Sequence, residues 1–123
     1  MDPLLRIPVV PLEPDSDGTR NACRDIIAPP GTAWDGFALM EWELEKAGWQ
    51  DLHPHDETTY MLEGELEIES EGSTVILRPG DAATVRGGHL GRYVARDYAR
   101  MLAIYGPNPT GAESTSFSSW RVE

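Results

Sequence analysis

His53-Pro54-His55-Asp56-Glu57-Thr58-Thr59-Tyr60-Met61-Leu62-Glu63-Gly64-Glu65 joins a cluster of imidazoles and carboxylates directly to a strand-and-turn pattern. Its first five residues hold two of the three histidines in the chain. Imidazoles and carboxylates are the side chains that bind borderline transition metals and move protons near neutral pH. Its second half reads as two short strands around Glu63-Gly64, a hairpin signal. In the second arm Leu66 and Ile68 alternate with glutamates, the period of a strand with one buried face.

The same period runs outward in both directions. Cys23 to Ala28 reads as a short strand closed by Pro29-Pro30-Gly31. Phe37 to Glu45 reads as a longer one, with Ala38, Met40, Trp42 and Leu44 on one face and Glu41, Glu43 and Glu45 on the other, and Gly48 is expected to break it. Glu71-Gly72 turns the chain into Thr74–Leu77, Pro79-Gly80-Asp81 turns it again into Ala82–Val85, and Gly87-Gly88 ends that run. Tyr93–Ala95 and Ala99–Tyr105 complete the set. No helical period of convincing length and no internal repeat is present, so many short strands at close spacing imply an all-β sandwich or barrel. Trp42, Trp49, Tyr60, Tyr93 and Tyr105 are expected mostly in the core, since aromatics carry large buried area.

Three segments are expected. Residues 1–20 carry Pro3, Pro8, Pro11 and Pro14, then Asp15-Ser16-Asp17-Gly18. Proline removes ladder donors, so this is an extended arm, able to lie on its own barrel or on a second subunit. Residues 21–106 form the barrel. Residues 107–123 form a tail that packs on it through Phe117 and Trp120.

Composition narrows the function. The chain has 123 residues, a formal net charge of −11 and one cysteine, Cys23. That length supports one core without staples. The charge argues against nucleic acid and anionic membrane surfaces. No apolar run approaches a membrane span, and no apolar core follows a basic start as in a signal peptide. A lone cysteine excludes an intrachain disulfide, and a cytoplasmic location is expected. The glutamate series read as solvated strand faces, and Cys23 as a core thiol.

The residues now carry a resemblance. Gly48-x4-His53-x3-Glu57-x6-Gly64 resembles the first motif of the cupin superfamily, G-x5-H-x-H-x3,4-E-x6-G. Tyr60-Met-Leu-Glu-Gly-Glu65 and Arg78-Pro-Gly-Asp-Ala82 are similar to the hairpin and turn phrases of small cupins. Gly80-x5-Arg86-Gly87-Gly88 stands where the second motif begins. Asp56-Glu57-Thr-Thr-Tyr60-Met-Leu-Glu-Gly-Glu65 and Asp97-Tyr98-Ala99-Arg100-Met-Leu-Ala-Ile-Tyr105-x-Pro107 are closest to the ethanolamine-utilisation type. The resemblance covers roughly residues 36–106. It implies a cupin jelly-roll β-barrel of two antiparallel sheets and a homodimer.

It also implies a metal site, with departures. His53 and Glu57 match two of the family's ligands. Asp51 stands in the place of the first histidine, Arg86 replaces a proline, and Gly91 occupies the place of the last histidine. In an extended segment Asp51, His53, His55 and Glu57 share one face, and His89 has the parity of Gly91. A set of His53, His55, Glu57 and His89 would therefore rebuild three imidazoles and a carboxylate, suited to Fe, Mn, Ni or Zn. The expected function is a small-molecule-binding cupin with a divalent metal, a metal-dependent oxygenase, isomerase or lyase. The alternative is a metal-free binding module. In a metal-free site, Glu57 and His53 would form the catalytic acid–base pair.

Overall fold

In a computed structural model of the chain, residues 3–14 and 20–123 are described. Asp15, Ser16, Asp17 and Gly18, read above as the end of the arm, lie outside them. Among the described residues nine strands form in chain order: β1 (Glu13–Pro14), β2 (Asn21–Ile27), β3 (Ala38–Leu52), β4 (Glu57–Gly64), β5 (Leu66–Ser70), β6 (Ser73–Leu77), β7 (Ala82–Val85), β8 (Leu90–Tyr105) and β9 (Thr115–Arg121). Every pairing is antiparallel. The all-β reading therefore holds, and none of the described residues forms a membrane-spanning helix.

β3 and β8 form the spine, paired from Ala38↔Tyr105 to Leu52↔Leu90. β4 pairs with the second half of β8 and β5 with the first half. The same pattern repeats one strand further out, where β7 pairs with β4 and β6 with β5. On the opposite edge, β2 takes the first half of β3 and β9 the second.

This register corrects the expected hairpin at Glu63-Gly64. β4 and β5 do not pair with each other; both run antiparallel to β8, so together they form one bent strand. Gly64 is the bend, at φ 76°, and a Cβ there would stand 1.9 Å from the Tyr98 carbonyl oxygen. Only glycine fits that approach. The true reversal is Glu71-Gly72, where both residues have positive φ (49° and 83°) and Ser70 pairs with Ser73. Two successive positive φ values are those of a tight hairpin turn.

Gly48 likewise does not break β3. The irregularity is two residues earlier, at Lys46 (φ 47°), where the register with β8 slips between Glu45 and Ala47. A bulge of this kind inserts one residue and re-aims those that follow. Before it the even-numbered Ala38, Trp42 and Leu44 are buried; after it the odd-numbered Ala47 and Asp51 are buried. Asp51 faces inward because of Lys46.

The bends at Lys46, Gly64 and Gly80 fall opposite one another across the paired strands. They crease the ribbon into two facing halves, a jelly roll of two antiparallel layers. The front half holds β2, the start of β3, β4, β7 and the end of β8. The back half holds β5, β6, β9 and the remainder of β3 and β8. Trp42 from the front meets Tyr93 from the back edge-to-face, ring centroids 5.5 Å apart. Leu44, Met61, Leu66, Ile68, Leu77 and Met101 fill the space between. Each such side chain contributes roughly 1.5–3 kcal/mol on full burial.

Not every aromatic enters this core. Tyr60 is exposed, because its neighbour Thr59 takes the inward position on β4. The glutamate faces are not uniformly solvated either. Glu41 is buried and takes Arg24 on one oxygen and Arg100 on the other, both at 2.7 Å. Arg100 also reaches Glu63.

Candidate functional site

The chain leaves β3 at Leu52 and enters β4 at Glu57, passing from the back half to the front across the mouth of the roll. Residues 53–56 are a loop, as Pro54 suggests. Asp51 is the last inward residue of β3, and Glu57 the first of β4. The crossing thus brings two buried carboxylates towards each other, with His53 between them. His53 Nε2 lies 3.0 Å from Asp51 Oδ2 and 3.2 Å from Glu57 Oε1. One ligand atom from each of the three falls within 4.8 Å of the others.

Each member is held from behind. Trp49 Nε1 donates to Asp51 Oδ2 at 2.7 Å. His53 Nδ1 is 2.5 Å from Ser114 Oγ, in the segment that leads into β9. The buried Tyr93 hydroxyl is turned to Glu57, and burial together with the two carboxylates pushes its pKa far up. Orientation of ligands by outer partners is a hallmark of built metal sites.

The remaining predicted residues are placed differently. His55 is 6% exposed and stacks on His53, centroids 4.7 Å apart. Trp34 and Tyr105 close its other sides, and its Nδ1 lies 3.2 Å from the Asp56 carbonyl oxygen. Burial holds its pKa below the usual histidine value. His89 borders a narrow crevice behind the triad, but its Nδ1 is 2.6 Å from Glu71 on the β5–β6 turn. Gly91 faces inward opposite Asp51, and the Tyr93 ring covers it, 3.1 Å from where a Cβ would stand. The position expected of the last histidine is thus filled by a tyrosine ring from two residues away.

Electrostatics favours a cation at the centre. Burial works against charge on His53, but Asp51 and Glu57 outweigh it and raise its pKa to about 9. Without a metal, the imidazolium is the cation that joins the two carboxylates. A metal would take its place by displacing the proton from Nε2. The donors fit such an ion: two oxygens and one nitrogen, and adjacent ligands about 2.1 Å from a common octahedral centre lie roughly 3 Å apart.

The triad opens into a cavity of about 370 Å³ between the two halves. Trp34, Trp42, Trp49, Tyr105 and Phe117 are its aromatic lining, and Asn21 lies on its wall as well. Cys23, read from the sequence as a core thiol, is half-buried on that wall. Sequence reasoning missed Ser114 and Asn21, because no local signal tells which tail and edge-strand residues the pairings of β9 and β2 bring to the mouth.

Comparisons with known proteins agree with the architecture. A family model described as the EutQ-like cupin domain matches residues 32–100. No curated protein matches the chain. Among solved structures, the Clostridium difficile EutQ protein superposes with a TM-score of 0.64 at 19% identity, over 76% of this chain and 66% of that one. Ectoine synthase from P. lautus does so with a TM-score of 0.62 at 28% identity, over 80% and 72%. The DMSP lyase DddQ from Ruegeria pomeroyi DSS-3 gives 0.67 at 22%, over 85% and 59%. The chain thus spans slightly under two thirds of the EutQ protein's length and less of the lyase's.

Proposed function

The chain belongs to the EutQ-like cupin domain family, and we propose that it binds a divalent transition metal on Asp51, His53 and Glu57 and presents it to a small organic molecule in the adjoining cavity. The observation that carries the reading is the triad itself: three donors gathered at one point, two of them buried carboxylates, each held by an outer partner. Buried carboxylates at this spacing demand a cation. Fe, Mn, Ni and Zn all suit one imidazole and two oxygens. Bound there, such an ion would supply Lewis acidity towards a carbonyl or carboxylate oxygen, the requirement shared by isomerase and lyase chemistry, whereas oxygenase chemistry would need a redox-active ion such as Fe or Mn. The fold is also that of proteins named as a synthase and a lyase.

The chain's own side chains have distinct tasks. Trp49 and Ser114 fix the rotamers of Asp51 and His53. His55 backs the His53 ring and, with Trp34 and Tyr105, keeps water from that side. Glu57 is the carboxylate placed to hold or pass a proton, with the Tyr93 hydroxyl beside it. The wider set that adds His55 and His89 as ligands is the rival arrangement. Metal analysis of untagged protein decides between them. Asp51→Asn, His53→Ala and Glu57→Gln should each abolish stoichiometric metal, while His89→Ala should leave it bound.

The second reading is a metal-free binding module, favoured by the His53 pKa of about 9. There the imidazolium would hold the ligand's oxyanion, and metal content would be negligible in the parent protein.

A homodimer is proposed on the strength of the arm, where Leu5 and Val9 are 89% and 85% exposed. Removal of residues 1–12 should convert the dimer to a monomer in light scattering. A reducing cytoplasm suits the single thiol of Cys23.

A further inference from the structure

The cavity beyond the triad is aromatic on both sides. Trp42 and Tyr105 line it from the front half, Trp49 and Phe117 from the back half. Trp34 adds a fifth ring from the loop between β2 and β3, held in place by its backbone bridge to Asn108. The rings begin at the triad itself. Trp49 donates to Asp51, and Trp34 and Tyr105 both contact His55, which stacks on His53. Trp34 and Tyr105 stand at 88° to each other with centroids 6.2 Å apart; Trp49 and Phe117 are 5.9 Å apart. No leucine, isoleucine or valine is among the described residues of the lining, although the core beside it is filled by Leu44, Leu66 and Ile68. An apolar ligand asks only for area, which aliphatic side chains also give. Ring faces add a negative quadrupole, which attracts a cation.

Charge is the second observation. None of the described residues on the cavity wall is a lysine or arginine, and the chain as a whole carries −11. Asp51 and Glu57 already balance a divalent ion. The oxyanion of a ligand arriving at that ion therefore adds a negative charge that no side chain of the wall offsets, unless the ligand brings its own cation. Hydrogen bonding narrows the kind of cation. A primary ammonium carries three N–H donors that need acceptors. Away from the triad and Ser114, the wall offers only Asn21, Cys23 and the Tyr105 hydroxyl. A quaternary ammonium has no donor to satisfy and is held by ring faces alone.

We propose that the cavity takes a small zwitterion with one carboxylate and one quaternary ammonium. The carboxylate sits at the triad, and the methylated cation lies among the rings of Trp34, Tyr105, Trp49 and Phe117. The carboxylate end of this assignment rests on the metal reading above; the cation end rests on the rings.

The test is calorimetric titration of full-length, zinc-loaded protein with three probes: trimethylglycine, its uncharged-head isostere 3,3-dimethylbutanoate, and glycine. Trimethylglycine should bind about 3- to 30-fold tighter than the isostere, the worth of a cation on desolvated ring faces. Glycine, whose ammonium must shed water without acceptors to replace it, should bind more weakly than trimethylglycine. Phe117→Leu and Trp34→Leu should each lower the trimethylglycine-to-isostere ratio at least about twofold. Phe117 is 58% exposed, so its replacement leaves the core intact and the result does not depend on the Trp34 variant folding. A ratio of one or less, a ratio that survives both substitutions, glycine binding as tightly as trimethylglycine, or no binding by any probe overturns the assignment. Metal analysis of the same samples, and the same titrations on metal-free protein, separate its failure from that of the metal reading. A parent without metal sinks the latter, while the ratio compares two identical carboxylates and still reports on the rings.

Discussion

The ring of Tyr93 lies over Gly91, its hydroxyl 3.1 Å from where a Cβ on residue 91 would stand. Residue 91 therefore has no room for a ligand of its own, and the tyrosine hydroxyl is delivered to Glu57 instead. Gly91→Ala should destabilise the protein by roughly 1–3 kcal/mol, because a packed ring must give way. Urea denaturation should show that cost shrinking in a Tyr93→Ala background. Tyr93→Phe, which keeps the ring, should leave the denaturation midpoint almost unchanged and weaken metal binding about tenfold.

Trp49 reports on the opposite wall. Its indole N–H is fixed on Asp51 Oδ2. Trp49→Phe keeps an aromatic ring in the cavity and removes the donor. Metal affinity should fall about 10- to 100-fold, measured by competition with a chromophoric chelator, with the circular dichroism spectrum unchanged.

The tail is tied down by Trp120. A Cβ on Gly48 would stand 2.1 Å from its indole Cε2, and the Arg92 guanidinium lies over the ring, 4.9 Å from the centroid. Gly48→Ala should cost roughly 1–3 kcal/mol through overpacking. Ser114 would move with the tail, so metal affinity should drop in parallel. A double-mutant cycle with Trp120→Ala should return a coupling of about 1 kcal/mol or more between the two sites.

Acid sensitivity follows from Glu41. Burial pushes its pKa up, but hydrogen bonds and charge from Arg100 and Arg24 outweigh burial and leave it below 4.5. A carboxylate with a depressed folded-state pKa stabilises the fold above its unfolded value and loses that contribution as pH falls through the folded one. Glu41→Gln should therefore lower stability at neutral pH and flatten the dependence below about pH 4.5. Thermal melts of parent and variant across pH 3–7 would show the two curves converging towards the acid end if the assignment holds.

Much of the fold was legible because strand period and turn chemistry are local. The alternation of Ala38, Met40, Trp42 and Leu44, the Glu71-Gly72 turn and the Pro79-Gly80-Asp81 turn were all visible. Glu63-Gly64 misled because glycine with positive φ serves a tight reversal and a bent strand equally well; only the register with β8 separates the two. Gly48 misled for a related reason. It makes way for Trp120, a residue remote in sequence, and does not end β3.

At the site, His53 and Glu57 were readable from spacing. Asp51 was readable from its place in the motif, but the alternation of Ala38, Trp42 and Leu44 would have turned it outward; the one-residue slip at Lys46 is what brings it in. His55 has the right chemistry, yet stacking on His53 and a contact to the Asp56 carbonyl occupy it. His89 has the right parity, yet it meets Glu71, whose approach depends on the length of the β5–β6 hairpin.

Metal binding at the triad is decided by an anomalous difference map from crystals of the parent protein grown with manganese or zinc. One peak per chain is expected within coordination distance of a carboxylate oxygen of Asp51, Nε2 of His53 and a carboxylate oxygen of Glu57, with His89 still on Glu71. A peak held by His55 and His89, or a map with no peak at the triad while His53 remains between the two carboxylates, would contradict it.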